Sequence, residues 1–504
     1  MVLIVLAFRA SAEATAEHVV VVVWDGMRPD LVDDHNCRTL AALARRGVFF
    51  RHNHSTYPSS TNVNGAVLAT GDFPAHTGLI SNQEYRPAIN PLKQFDTGDF
   101  PELDPQIAAR YLAAPTVAEI VQKAGYRTAI AGSKPVAQLA DRARHRASDA
   151  ARESTVIYCG KFLPRTAEAA VVAALGPFPS VKQFPNSEED AWTTRALTDV
   201  LWKKDVPKFS LLWLSEPDLT QHEYAPGSPQ GLAAIKSDDD NLAKVLAALR
   251  AKNALTNTDV FVVSDHGFST IQRAVDVAQR LREAGFDAVR FFTGQAKPGQ
   301  ILVVSLGGST EFYVVGHDLA MTRRLVNYLQ RSDFAGVILT REKMDGTFTL
   351  AQVHLATATA PDVIVASRWN DQPNEFGVRG EVASDRGKGL GQGTHSSFSP
   401  HDLHNTLIGS GPDFRRGWED ESATGNIDVA PTILSLLGRS APKMDGRILT
   451  EALRDGGTAP AAQSTKLETG RDLDPAGTWC QSLSLTSVGI ATYVDEGNGA
   501  LAPR

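Results

Sequence analysis

Three apolar runs, each closed by an acidic residue, frame this chain: HVVVVVWDG at 18–26, FSLLWLSEPD at 209–218 and DVFVVSDHG at 259–267. Continuous β-branched and aromatic runs without polar alternation mark strands buried on both faces, as in a parallel sheet. Between them the spacing turns helical. NCRTLAALARRG reads as a helix closed by Gly47, and PTVAEIVQKAGYRTAIAG as helix, glycine and strand. RALTDVLWKKDVPKFSLLWLSEPD and DDDNLAKVLAALRAKNALTNTDVFVVSDHG repeat the order helix then strand. This alternation predicts an α/β fold with a doubly wound, mainly parallel sheet.

The remaining stretches fit around that core. A Ser/Thr/Asn-rich segment, HNHSTYPSSTNVNG, runs into GAVLATG, and residues 84–112 read as surface loops. Residues 273–385 break the rhythm: ILVVSLGG, STEFYVVG, the helix LAMTRRLVNYLQRS and FAGVILTRE predict a small β-α-β insertion that caps the site. The glycine-rich stretch Gly380–Gly393 then delivers His395, and NIDVAPTILSLLG is the last helix of the core. The predicted division is a leader at 1–16, core at 17–272, cap at 273–385, core at 386–455, and at 456–504 a polar linker followed by an edge hairpin.

The chemistry collects at the strand ends. Asp25, Asp218, Asp265 and His266 close the three apolar runs, where a parallel sheet builds its sites. His222 follows Asp218 by four residues, which on a helix puts both on one face; alone, such a pair is more often a solvated neighbour than a ligand pair. With His395 the set offers six oxygen and nitrogen ligands and no thiolate, a mixture that favours zinc, in two three-ligand sites. Thr61 stands where the polar segment turns into a helix. Its hydroxyl needs activation to act as a nucleophile, and metal coordination provides it. The helix N-terminus behind it favours phosphate. An ordinary N-cap is the plainer role for Thr61, and Ser59 and Ser60 are competing hydroxyls.

Composition narrows the partners. The 504 residues, 42% hydrophobic and 21% charged, suit a globular protein with a large core. A net charge of −7 argues against a scaffold for nucleic acid but not against small anions, whose binding a local metal centre governs. Cys37, Cys159 and Cys480 match no zinc pattern and leave an odd thiol whatever their pairing. The sequence leaves the oligomeric state open.

Taken in order, WDG, STNVNGAVLATGDFPAHTGL, EPDLTQHEYAPG, SDHG and GTH resemble the alkaline phosphatase superfamily, and within it type I phosphodiesterases and nucleotide pyrophosphatases, with a second likeness to phosphonoacetate hydrolases. The resemblance covers roughly residues 18–440. It implies two zinc ions: one on Asp25, Thr61, Asp265 and His266, the other on Asp218, His222 and His395. It implies Thr61 as nucleophile, Asn64 as donor to a phosphoryl oxygen and Lys134 in AIAGSKPVAQ as a substrate-binding lysine. A helix-start cap for Asn64 and a solvated loop for Lys134 are the plainer alternatives. Diesterases of this type usually carry Thr-aromatic-Pro-Asn; this chain has Thr61-Asn62-Val63-Asn64, which leans towards the phosphonoacetate-hydrolase branch. The expected reaction is hydrolysis of a phosphodiester or nucleotide pyrophosphate bond through a phospho-threonine. Phosphomonoesters or phosphonates are the alternative substrates, and a phosphoryl transferase or a non-catalytic phosphate-binding protein the alternative classes.

Met1–Phe8 is apolar and precedes the small-residue patterns Ala10-Ser11-Ala12 and Ala14-Thr15-Ala16, the features of a signal peptide. No other run approaches the roughly 20 apolar residues of a membrane helix, so the expectation is a periplasmic or secreted protein without a span. Expressed from its native start in a Gram-negative host, the protein is expected in the periplasm with a cut near residues 12–17. Intact cytoplasmic protein retaining Met1 would count against export.

Overall fold

The computed structural model describes residues 16–98, 111–142, 148–180 and 182–503, so the predicted leader lies, Ala16 apart, outside the described residues. A nine-stranded sheet organises the chain. From one edge to the other it runs Trp418–Gly425, Val48–His54, Leu407–Ser410, Thr258–Val263, His18–Trp24, Phe209–Leu214, Thr128–Gly132, Thr155–Tyr158 and Lys161–Leu163. The four central strands, from Thr258–Val263 to Thr128–Gly132, are mutually parallel. Leu407–Ser410 is antiparallel to both its neighbours and Lys161–Leu163 to Thr155–Tyr158, so the sheet is mixed towards both edges.

Helices cover both faces, and the period of two along the first strand explains how. Val19, Val21 and Val23 point to one side, against Val63, Ala66 and Val67 of the helix Thr61–Thr70 and Ile433 and Leu434 of Val429–Leu436. Val20, Val22 and Trp24 point to the other, against Leu40 and Leu43 of Arg38–Arg46 and Leu242, Val245 and Leu249 of Pro229–Ala251. The fold is the expected doubly wound α/β architecture.

The insertion holds more strand than expected. Six strands pair in the order Ala288–Val289, Ile301–Ser305, Ser309–Val314, Val363–Ser367, Ala335–Thr340 and Phe348–Thr349, with the helices Val277–Glu283 and Leu319–Leu329 packed on one face. Val363–Ser367, missed because VIVAS is too short to show a period, lies between the two strands that flank the helix. The chain enters the insertion through Ser269–Val275 and leaves through Arg379–Asp385, and these two strands pair in parallel. Gly393–Thr394 then pairs with Ser269–Thr270, which sets His395 beside the residues that follow His266.

The expected linker at 456–475 is corrected. Ala462–Asp472 is a strand, paired over its whole length with Thr478–Val488, and Ala491–Ala502 completes a three-stranded antiparallel sheet. The polarity that read as linker is that of a solvated edge strand, held by main-chain hydrogen bonds and exposed along most of its length. Residues 84–98 are mostly loop, with one short ladder between Gln83–Glu84 and Phe95–Asp96. Cys37 and Cys480 are free thiols, and no helix among the described residues is long and apolar enough to cross a membrane.

Gly267, next to His266, has no room for a side chain. A Cβ there would stand 2.1 Å from the carbonyl oxygen of His401 and 2.5 Å from that of His404, both main-chain atoms. Gly267→Ala is therefore expected to lower stability by about 1–3 kcal/mol or more, read from the midpoint of urea unfolding.

Candidate metal centre and nucleophile

The parallel strands all release their chains at one edge, and the candidate ligands gather there. Asp25 follows Trp24 directly, and Asp265 and His266 follow Val263 after one serine. Asp218 opens the helix Asp218–Tyr224, so His222 lies one turn on and on the same face. The turn after Asp25 requires Gly26: its φ is 72°, a Cβ would touch the Phe268 ring at 3.0 Å, and its N–H donates to Asp265 Oδ1 at 3.0 Å.

Two groups of ligand atoms converge, Asp218 with His222 and His395, and Asp25 with Asp218 and His266. Nε2 of His222 lies 3.3 Å from Asp218 Oδ1, and Nε2 of His395 lies 3.6 Å from the same oxygen. Nε2 of His266 lies 3.6 Å from Asp25 Oδ1, 3.4 Å from Asp265 Oδ2 and 3.9 Å from Asp218 Oδ1. Ligands about 2.0–2.1 Å from a tetrahedral ion stand about 3.3 Å from one another, so the spacing suits metal. Asp25 Oδ1, Asp218 Oδ1 and Asp265 Oδ2 are buried with no hydrogen-bond partner, while the other oxygen of each carboxylate is engaged.

The histidines are set up in the same way. Nδ1 of His222 faces the carbonyl of Gly393 at 3.0 Å, Nδ1 of His266 that of Gly267 at 2.9 Å, and Nδ1 of His395 that of Ser59 at 2.8 Å. A ring nitrogen facing a carbonyl must carry the proton, so each Nε2 presents a lone pair to the cluster. Burial holds His266 below the usual imidazole range, and at His395 burial is reinforced by His266 and His222. Neutral imidazole is the form that binds metal.

The acids carry an electrostatic burden. Burial, then Asp265, pushes Asp25 well above the usual carboxylate range. Burial lifts Asp265 to about 7 against the pull of Lys134. At Asp218 burial pushes upward too, but Lys134 and His222 overcome it and hold the carboxyl low. A divalent cation would take the place of the protons that burial and mutual repulsion favour on Asp25 and Asp265.

Thr61 begins its helix with Oγ1 3.3 Å from His266 Nε2. Ser59 is spent on holding His395 and Ser396, and Ser60 Oγ is buried without a partner. One expectation is corrected. Asn64 is fully buried; Nδ2 donates to the carbonyls of Thr56 and Ser60, and Oδ1 accepts from Thr56 N and Asn426 Nδ2. With both donors and its acceptor committed, it has nothing to offer a phosphoryl oxygen. Lys134, the expected substrate-binding lysine, stands 2.9 Å from Asp25 Oδ2 and 2.8 Å from Asp218 Oδ2, paired with two of the candidate ligand carboxylates.

Sequence reading missed Asn82 and Trp213. Asn82 Oδ1 accepts the N–H of Asn62 at 2.8 Å, which places its amide at the head of the Thr61 helix, and its Nδ2 has no acceptor among the described residues. Nothing in LISNQEY marks that asparagine; only the fold brings it beside Thr61. Trp213 Nε1 donates to Asp25 Oδ2 at 2.8 Å from within an apolar run, where its indole reads as core.

The model of the family described as type I phosphodiesterase / nucleotide pyrophosphatase matches residues 19–374. A venom phosphodiesterase of Crotalus durissus collilineatus is 24% identical over 276 residues, which cover 53% of this chain and 26% of that protein. The mouse bis(5'-adenosyl)-triphosphatase enpp4 is 19% identical over 433 residues, covering 85% of this chain and 79% of that one. This chain thus spans about a quarter of the length of the venom relative. Among solved structures, mouse ectonucleotide pyrophosphatase / phosphodiesterase 5, an inactive variant in complex with AMP, superposes with a TM-score of 0.60 at 16% identity, over 87% of this chain and all of that one. With the family's model extending over most of the sequence, the chain belongs to the type I phosphodiesterase / nucleotide pyrophosphatase family.

Proposed function

We propose that this protein is a metal-dependent phosphoester hydrolase that cleaves phosphodiester or nucleotide pyrophosphate bonds through a phospho-threonine on Thr61. One observation carries the reading: three histidines locked with Nε2 inward and three carboxylates each presenting an unpaired oxygen converge beside the Thr61 hydroxyl. The donor set fits zinc. Asp25, Thr61, Asp265 and His266 would hold one ion and Asp218, His222 and His395 a second. When bound, the ions supply the Lewis-acid charge that favours the Thr61 alkoxide and a departing oxygen.

The chain's own groups supply the rest. Thr61 Oγ1 gives its proton to water and attacks phosphorus; the bond to the leaving oxygen breaks, that oxygen takes a proton from water, and Thr61 carries the phosphoryl group. Water then attacks the same phosphorus from the vacated side and frees Thr61. Charge grows on the non-bridging oxygens in both steps. The N–H groups of Thr61 and Val63 have no acceptor among the described residues and, with Asn82 Nδ2, are the preorganised donors for that charge. The AMP held by the mouse structural relative supports a nucleotide-like substrate. A monoester or phosphonate is the second reading, because Asn62 replaces the aromatic residue of the diesterase pattern and its amide is tied to Asp96 and Thr97.

Thr61→Ala is expected to abolish turnover while metal is retained, and Thr61→Ser to keep part of it. Asn82→Ala should slow turnover about 10²–10³-fold, while Asn64→Ala should chiefly lower the unfolding midpoint. Full activity in Thr61→Ala, or an Asn64 loss confined to rate, would refute these roles. Bis(p-nitrophenyl) phosphate should be cleaved faster than p-nitrophenyl phosphate or phosphonoacetate; the reverse order would favour the second reading.

Lys134→Met would leave Asp25 and Asp218 buried without their counter-ion. Chelator-treated protein should then lose about 3–5 kcal/mol of stability, and metal-loaded protein less, because the ions neutralise the same carboxylates. Equal losses with and without chelator would remove Lys134 from the centre.

A further inference from the structure

A second cluster of ligand-type side chains lies on the seam between the core and the C-terminal sheet and shares no residue with the centre described above. His54 ends the core strand Val48–His54, His404 follows the short helix Pro400–Leu403, and Asp495 belongs to the strand Ala491–Ala502. One ligand atom from each falls within 4.8 Å of the others. The rings of His54 and His404 meet at 4.4 Å and 58°, close to the 5.1 Å and 51° of the His222–His395 pair.

Three features set the cluster apart from a chance meeting. First, Asp495 is the extra residue of a β-bulge: Ser484 pairs with Glu496 and Leu485 with Val494, so Asp495 has no partner in the ladder. Bulges re-aim side chains, and here the carboxylate turns towards the two histidines. Second, two of the three groups have their outer atom engaged. His54 Nδ1 faces the carbonyl of Thr424 at 2.8 Å, and Thr486 donates to Asp495 Oδ2 at 2.9 Å. This is the pattern of outer hydrogen bonds that orients metal ligands. Third, with its proton on Nδ1, a neutral His54 turns the Nε2 lone pair directly at Asp495 Oδ1, 3.0 Å away. Two lone pairs at that range repel unless a cation lies between them or the ring takes a second proton.

We propose that His54, His404 and Asp495 form a structural zinc site that clamps the C-terminal sheet to the core. Two imidazoles and a carboxylate without thiolate suit zinc, with a solvent oxygen as fourth ligand; Asp495, 26% exposed, leaves room for one. Tyr493 stacks on His54 at 5.3 Å and fixes its ring plane.

The test is zinc content. Chelator-stripped protein is re-loaded with zinc sulfate, desalted and subjected to elemental analysis, for wild type, Asp495→Asn and His404→Gln. The expected result is one zinc fewer per chain in each variant, whatever number the catalytic centre holds, with turnover of bis(p-nitrophenyl) phosphate within twofold of wild type. Zinc should also raise the Tm of wild type further than that of either variant. Equal zinc content in all three proteins would overturn the proposal. So would an equal Tm loss of the variants with zinc and with chelator, which would assign the contact to a protonated His54 paired with Asp495. Should neither variant fold, wild type alone decides: zinc binding that raises Tm beyond the occupancy that saturates turnover supports the site, and its absence refutes it.

Discussion

Asp25, Asp218 and Asp265 are removed from water, lie close together, and have one lysine among them. A carboxylate taken out of water costs several kcal/mol even after the surroundings relax, and each added neighbour raises the cost by repulsion. Much of the local structure answers that constraint. Gly26 turns its N–H onto Asp265, Trp213 gives its indole N–H to Asp25, and Lys134 spans Asp25 and Asp218. Each of these engages one oxygen and leaves the other facing inward. A parallel sheet meets the geometric half of the problem, because four neighbouring strands deliver their chains to one edge.

The insertion bears on the same edge from the other side. Gly308 donates its N–H to the carbonyl of His395 at 2.9 Å, and Ser309 Oγ donates to the carbonyl of Ser396 at 2.5 Å. Tyr57 touches Ser309 Oγ through its hydroxyl at 2.9 Å and stacks on Phe398 at 3.7 Å. His395 reaches the cluster with its flanking backbone pinned by a strand of the cap sheet and by the segment just before Thr61. The insertion and the candidate site are therefore packed together at this point.

Most of the strand core and the metal-ligand candidates were legible in the chain, for one physical reason. A strand buried on both faces must be apolar throughout, and an acidic residue at its end stands out against that run. The same reasoning failed where polarity and burial part company. Ala462–Asp472 reads as linker because an edge strand of a small sheet needs main-chain partners and little apolar surface. Asn64 matched a motif in type and spacing, but spacing does not say what a side chain is bonded to.

The order of elements, the doubly wound class and the identity of the oxygen and nitrogen donors at the strand ends were determined by the sequence itself, because hydrophobic period and residue chemistry are local properties. Tertiary structure alone decided that Asn64 is consumed by Thr56, Ser60 and Asn426, that Lys134 neutralises the carboxylates, and that Asn82 stands at the head of the Thr61 helix. It alone set Nε2 of each histidine inward, by aiming a carbonyl from Gly393, Gly267 or Ser59 at Nδ1. Those outcomes rest on contacts between residues far apart in the chain. Which proton a ring carries, and which amide is left free, depends on what the fold brings alongside it.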